Sequence, residues 1–105
     1  MIALLKKIFR HGRKSVYYHI VKEGALLVDV RTAEEFQSGH IQGAINIPVE
    51  QLHNRQQELP DKGKPIITCC ASGMRSGNAR SILVGLGYKN VYNGGGWRSL
   101  QKKIQ

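Results

Sequence analysis

Residues 66–75, Ile66-Ile67-Thr68-Cys69-Cys70-Ala71-Ser72-Gly73-Met74-Arg75, pass from an aliphatic run through two cysteines into three small residues and an arginine, and a helical pattern follows over Ser76 to Leu86. The apolar run reads as a strand buried on both faces, and Gly87 suits the left-handed stop of the helix. A loop in that position lies at the carboxyl end of a strand, where α/β folds bind ligands. The first amides of a helix lack intrahelical partners, and Ala71, Ser72 and Gly73 are small enough for the chain to curl so that those donors converge on an anion. A cysteine at the edge of such a cradle is held as thiolate, because the helix dipole and Arg75 both favour the charged form. Comparable sites lower a cysteine from about 8.5 to roughly 3.5–7.5. Cys70 is thus the candidate nucleophile, and 71–75 the candidate anion-binding loop.

Working outward, Ala25-Leu26-Leu27-Val28-Asp29-Val30 is the first strong strand signal. Thr32 with Glu35 three residues on has the form of a capping box, and Gly39 ends the short helix they start. Ile45-Asn46-Ile47 reads as a short strand. Pro48 opens a polar helix from Glu50 to Leu59 that Pro60 ends. Val91-Tyr92 forms another short strand, and Trp97 to Lys103 a helix behind Gly94-Gly95-Gly96. Strands alternating with helices predict an α/β fold with a largely parallel sheet. Residues 25–105 are expected to form this domain.

Residues 1–24 are expected to form a separate basic segment. Ile2, Leu4, Leu5, Ile8 and Phe9 oppose Lys6, Lys7 and Arg10 on a helical projection, and three readings stay open: a docked helix, a frayed arm, or a helix lying on a membrane surface. No apolar run nears the roughly 20 residues of a bilayer span, and the order of charged and apolar residues before Arg10 is not that of a secretory signal, so a cytoplasmic address is expected.

The net charge of +9 is unevenly placed: residues 1–22 hold six Lys/Arg and residues 62–105 hold eight, neither with an acid, while all seven acids lie between. Such a field attracts anions, whether small substrates, nucleic acid, acidic lipid or an acidic protein. No nucleic-acid motif or aromatic interleaving accompanies it, so a nucleic-acid partner is not expected. Two adjacent cysteines make neither an unstrained loop-closing disulfide nor a zinc site, which leaves thiol chemistry or burial. Alternation along the strand sends Cys69 into the domain.

Taken together, Asp29-Val30-Arg31 with Glu34-Glu35-Phe36, then Gly39-His40-Ile41-Gln42-Gly43-Ala44 and Asn46-Ile47-Pro48, the Cys70 to Arg75 loop with Ser76, and Gly95-Gly96-Trp97 resemble the single-domain rhodanese family of sulfurtransferases over most of residues 25–100. The resemblance implies a mainly parallel five-stranded sheet flanked by helices. It also implies a double displacement in which Cys70 takes sulfane sulfur from thiosulfate or another anionic small-molecule donor and passes it from a persulfide to a thiol, a protein or cyanide. The donor would lie against Ala71, Ser72, Gly73, Met74 and Arg75. Neither metal nor organic cofactor is implied.

A cysteine-based phosphatase or arsenate reductase is the nearest rival, since Cys69 stands six positions before Arg75. The glycine register separates the two: Gly73 lies three positions after Cys70 but four after Cys69, and Thr68 stands where those enzymes usually carry histidine. A non-catalytic rhodanese-like binding module is a third possibility, although such modules generally lack the loop cysteine. Asp29 is expected to be a structural acid paired with Arg31, His40 to bond to backbone in its turn, Trp97 to pack, and His11, His19 and His53 to lie on the surface.

Overall fold

The computed structural model describes residues 14–105; the basic stretch Met1 to Phe9 read above lies outside them. Four strands, β1 (Leu26–Asp29), β2 (Ile45–Asn46), β3 (Ile66–Cys70) and β4 (Val91–Gly96), form one sheet in the order β2-β1-β3-β4. Every pairing is parallel. Asp29 falls opposite Cys69, which brings the carboxyl ends of β1 and β3 side by side. Helices α1 (Val16–Lys22), α2 (Ala33–Gln37), α3 (Met74–Gly85) and α4 (Trp97–Lys103) complete the fold.

The twofold period of the strands divides the core. Val28, Ile66, Cys70 and Val91 join Ala79 and Leu83 of α3 in one apolar cluster. Leu27, Ile67 and Cys69 join Ile20 of α1 and Leu100 of α4 in a second, on the other face of the sheet. The two-sided burial explains why β1 and β3 read as unbroken aliphatic runs.

Helix α1 starts at Ser15, whose hydroxyl oxygen accepts from the Tyr18 amide and donates to the Lys103 carbonyl at 2.6 Å. Tyr17 Oη donates to the Asn93 carbonyl at 3.0 Å. The division expected at residues 24 and 25 thus runs between α1 and β1, two elements of one core. Docking of α1 also corrects the placement of His19, which is only 4% exposed and meets the Tyr18 ring edge-on at 5.3 Å.

Two further expectations are revised. The family's fifth strand is not among the described residues: the chain runs from α1 straight into β1, and Lys14 and Ser15 bond to the end of α4, not to a sheet edge. The helix expected over Glu50 to Leu59 is instead two 3-10 turns, Val49–Gln51 and Gln56–Glu58. Only Leu52 and Leu59 supply buried apolar anchors there, too few for an amphipathic stripe. Arg55 breaks the segment, bridging Glu58, the Gln51 side chain and the Asn46 carbonyl, while Tyr88 Oη donates to the Leu59 carbonyl at 2.7 Å.

Candidate active site

Cys70 is the last residue of β3 and α3 begins four residues later, so 71–73 must reverse the chain in one tight curl. Gly73 makes this possible with φ of +105°, a conformation that side-chain-bearing residues rarely adopt. Its amide donates to Cys70 Sγ at 2.9 Å. Burial pushes the Cys70 thiol up, but the Ser76 hydroxyl and the amides of Ser76, Gly73 and Ser72 outweigh it, and the net shift is downward. Cys70 is only 1% exposed, at the foot of the loop, whereas Met74 on the rim is 85% exposed.

Ser76 also ties the loop to β4. Its single hydroxyl proton can turn among Cys70, the Gly73 carbonyl at 3.0 Å and Asn93 Oδ1 at 2.7 Å, and Asn93 Oδ1 in turn accepts from the Gly95 amide. The strand expected over Val91-Tyr92 continues through the glycine run, and it carries one extra residue against β3 between Asn93 and Gly96. A Cβ on Gly94 would come within 2.7 Å of the Thr68 carbonyl and 2.8 Å of Leu100, and one on Gly96 within 3.0 Å of the Ala71 carbonyl. Bare backbone is therefore what lets β4 lie against the cysteine loop.

Cys69 has a different environment. It is wholly buried on the opposite face, and burial together with the Asp29 carboxylate pushes its thiol up to about 12. Its thiolate is thus disfavoured at neutral pH.

The wall beside the loop is built from β1 and α2. Asp29 and Arg31, both buried, form the expected ion pair at 2.7 Å, and Arg31 also donates to the carbonyls of Glu35 and Gly39 while its guanidinium lies over Trp97. His40 Nδ1 lies 2.7 Å from the Phe36 carbonyl, which can only accept, so this nitrogen carries the proton; the imidazole stacks on the Phe36 ring. The capping box at Thr32 is present as expected. Its Glu35 does more than cap: the carboxylate meets Arg75 in a two-pronged ion pair, Nη1 to Oε1 at 2.7 Å and Nη2 to Oε2 at 3.0 Å. Arg75, expected to face a donor, has a partner within the protein. The Arg75 guanidinium, followed by the Thr32 amide, holds the Glu35 carboxyl down at about 2.

The structure thus brings Cys70, Ala71, Ser72, Gly73, Met74 and Arg75 together in one loop. Sequence reasoning left Ser76, Asn93 and the Arg75 grip of Glu35 without roles. Ser76 was visible as the hydroxyl directly after the loop, but nothing local in the sequence joins Asn93 or Glu35 to it, because strand order and helix placement create those contacts. Among the described residues no group of three His, Cys, Asp or Glu side chains could hold a metal, and no helix is long and apolar enough to cross a membrane.

The rhodanese-like domain model matches residues 13–103. Thiosulfate sulfurtransferase PspE of Escherichia coli is 40% identical over 74 residues, 70% of this chain and 71% of that protein. Thiosulfate sulfurtransferase GlpE of Haemophilus influenzae is 38% identical over 76 residues, 72% of this chain and 71% of that protein. Among solved structures, a rhodanese with anions from E. coli superposes with a TM-score of 0.69 at 39% identity, covering 72% of this chain and 91% of that one. The chain belongs to the rhodanese-like domain family. Within that family it is a sulfurtransferase.

Proposed function

We propose that Cys70 carries sulfane sulfur between a donor such as thiosulfate and a thiol, protein or cyanide acceptor. One observation supports this most directly: a low-lying thiol at the start of a helix, with the Gly73 amide 2.9 Å from its sulfur and the Ser72 and Ser76 amides also turned on it. The thiolate attacks the outer sulfur of thiosulfate, the S–S bond of the donor breaks with its electron pair leaving on sulfite, and an S–S bond forms to Cys70. The persulfide keeps one negative charge, which the same amides and the start of α3 stabilise. An acceptor nucleophile then attacks the outer sulfur and returns Cys70 to thiolate.

The loop residues Ala71 to Arg75 would surround the donor, the backbone serving its anionic end and Met74 forming the outer rim. A cytoplasmic setting goes with this proposal, since a reducing thiol pool keeps Cys69 and Cys70 free.

The experiment is direct detection of the intermediate. Reduced protein mixed with excess thiosulfate and freed of donor gains the mass of one sulfur atom, mapped to Cys70, and cyanide removes it with an equal amount of thiocyanate formed. No adduct on Cys70 with thiosulfate, a small persulfide or polysulfide would remove the proposal and leave the fold alone.

A further inference from the structure

The cation that closes the cysteine loop does not face it unopposed. Arg75 and Glu35 lie forty residues apart in sequence, yet their side chains meet through both oxygens of the carboxylate and two nitrogens of the guanidinium, with both groups 37% exposed. This fork-to-fork arrangement fixes the guanidinium in plane and direction, takes up its end-on Nη1/Nη2 fork, and sets a carboxylate charge directly against the cation. Glu35 is itself held: its carboxylate accepts from the Thr32 amide and hydroxyl in the capping box, and its carbonyl accepts from Arg31, whose position the buried Asp29 secures. The negative charge at the rim is therefore as firmly placed as the positive one.

We propose that Glu35 is a specificity-determining residue of the sulfur-transfer site: by engaging Arg75 it withholds that cation from the donor and lowers affinity for dianions relative to singly charged or neutral donors. The inference rests on the sulfurtransferase reading for its biological meaning, but the electrostatic claim holds for any anion at the Cys70 loop. A unit charge removed several ångström from a dianion at a half-exposed site is worth about tenfold in binding. Glu35 touches no reacting atom and acts through Arg75.

The test uses inorganic sulfate as the probe and the rate at which iodoacetamide alkylates Cys70 as the readout, because sulfate in the loop protects the thiol whether or not the protein moves sulfur. Glu35→Gln keeps the capping box, which glutamine also satisfies, while discharging the side chain. The expected result is protection at about tenfold lower sulfate in Glu35→Gln, about tenfold higher sulfate in Arg75→Ala, and a smaller gain from Glu35→Gln once Arg75 is alanine, the coupling expected of two side chains in contact. The KM for thiosulfate falls with the sulfate constant in Glu35→Gln, and that for an uncharged organic polysulfide stays near its starting value. Sulfate protection within twofold of wild type in Glu35→Gln, or weaker than wild type, overturns the proposal. Glu35→Ala serves as a second discharged variant; if circular dichroism shows both variants unfolded, Glu35 belongs to the fold alone and the proposal fails. Absence of a sulfur adduct on Cys70 refutes the transfer reading and leaves the sulfate result standing.

Discussion

Cys69 and Cys70 are joined by a peptide bond, yet their side chains enter different apolar clusters on opposite faces of the sheet. Strand alternation alone produces this separation. It gives one thiol a ring of amides and leaves the other in hydrocarbon.

Cys70→Ser should therefore abolish sulfur transfer with the fold retained, while Cys69→Ser keeps most of the activity. Turnover measured alongside a thermal melt distinguishes loss of chemistry from loss of structure. Equal loss of turnover in two folded variants would contradict the assignment.

The two thiols should also pull stability in opposite directions with pH. Cys70 has a folded value below its unfolded one, so its contribution is complete above the unfolded value and is lost as pH falls through the folded one. Cys69 is raised from 9.0 to about 12, so its contribution is complete below pH 9 and is lost as pH rises toward 12. Three units correspond to roughly 4 kcal/mol. Denaturant unfolding at pH 8 and pH 10.5 should show a smaller alkaline loss in Cys69→Ala than in wild type; parallel curves would mean that Cys69 ionises as easily folded as unfolded.

Asp29→Asn should cost about 3–5 kcal/mol, because it leaves the Arg31 charge buried without its counter-ion. The damage should reach the site, since Arg31 bonds to the carbonyls of Glu35 and Gly39. Equilibrium unfolding checks the first point and the thiosulfate KM the second. A loss under 1 kcal/mol would show that the pair does not sustain the wall.

Two glycine replacements should move stability in opposite senses. An added methyl at Gly94 meets Thr68, Ile67 and Leu100 under 3 Å, so Gly94→Ala should destabilise by about 1–3 kcal/mol and slow transfer by lifting β4 from the loop. Gly85 ends α3 with open space around it, and Gly85→Ala should stabilise by about 0.4–1 kcal/mol. Denaturation midpoints of the pair decide the matter.

The elements legible in sequence were those with local causes. Thr32 and Glu35 three apart announce a cap, Ile66 to Cys70 announce a buried strand, and Trp97–Lys103 has the bounds its pattern implied. Pro48 and Pro60 suggested a helix between them, but Tyr88 takes the Leu59 carbonyl from a distance and Arg55 reaches back to the Asn46 carbonyl ahead of Pro48, and no local pattern carries that information. The strand at Val91-Tyr92 was read too short for the same reason, since the role of the glycines at 94–96 as strand depends on what lies across from them. Cys70 could be placed from its own neighbourhood, whereas Arg75 could not, because its partner comes from another helix.

The bonds of Ser15 to the Lys103 carbonyl and of Tyr17 to the Asn93 carbonyl have a consequence for biosynthesis. Helix α1 leaves the ribosome ahead of the residues it bonds to, which lie 88 and 76 positions further on, so the part of its inward face that Leu100 covers waits meanwhile. Contacts of such high sequence separation slow folding and leave apolar surface open to other chains. A nascent chain stalled before residue 90 should therefore leave the cluster of Ile20, Leu27 and Ile67 open on the side that Leu100 closes, within reach of a chaperone until α4 arrives.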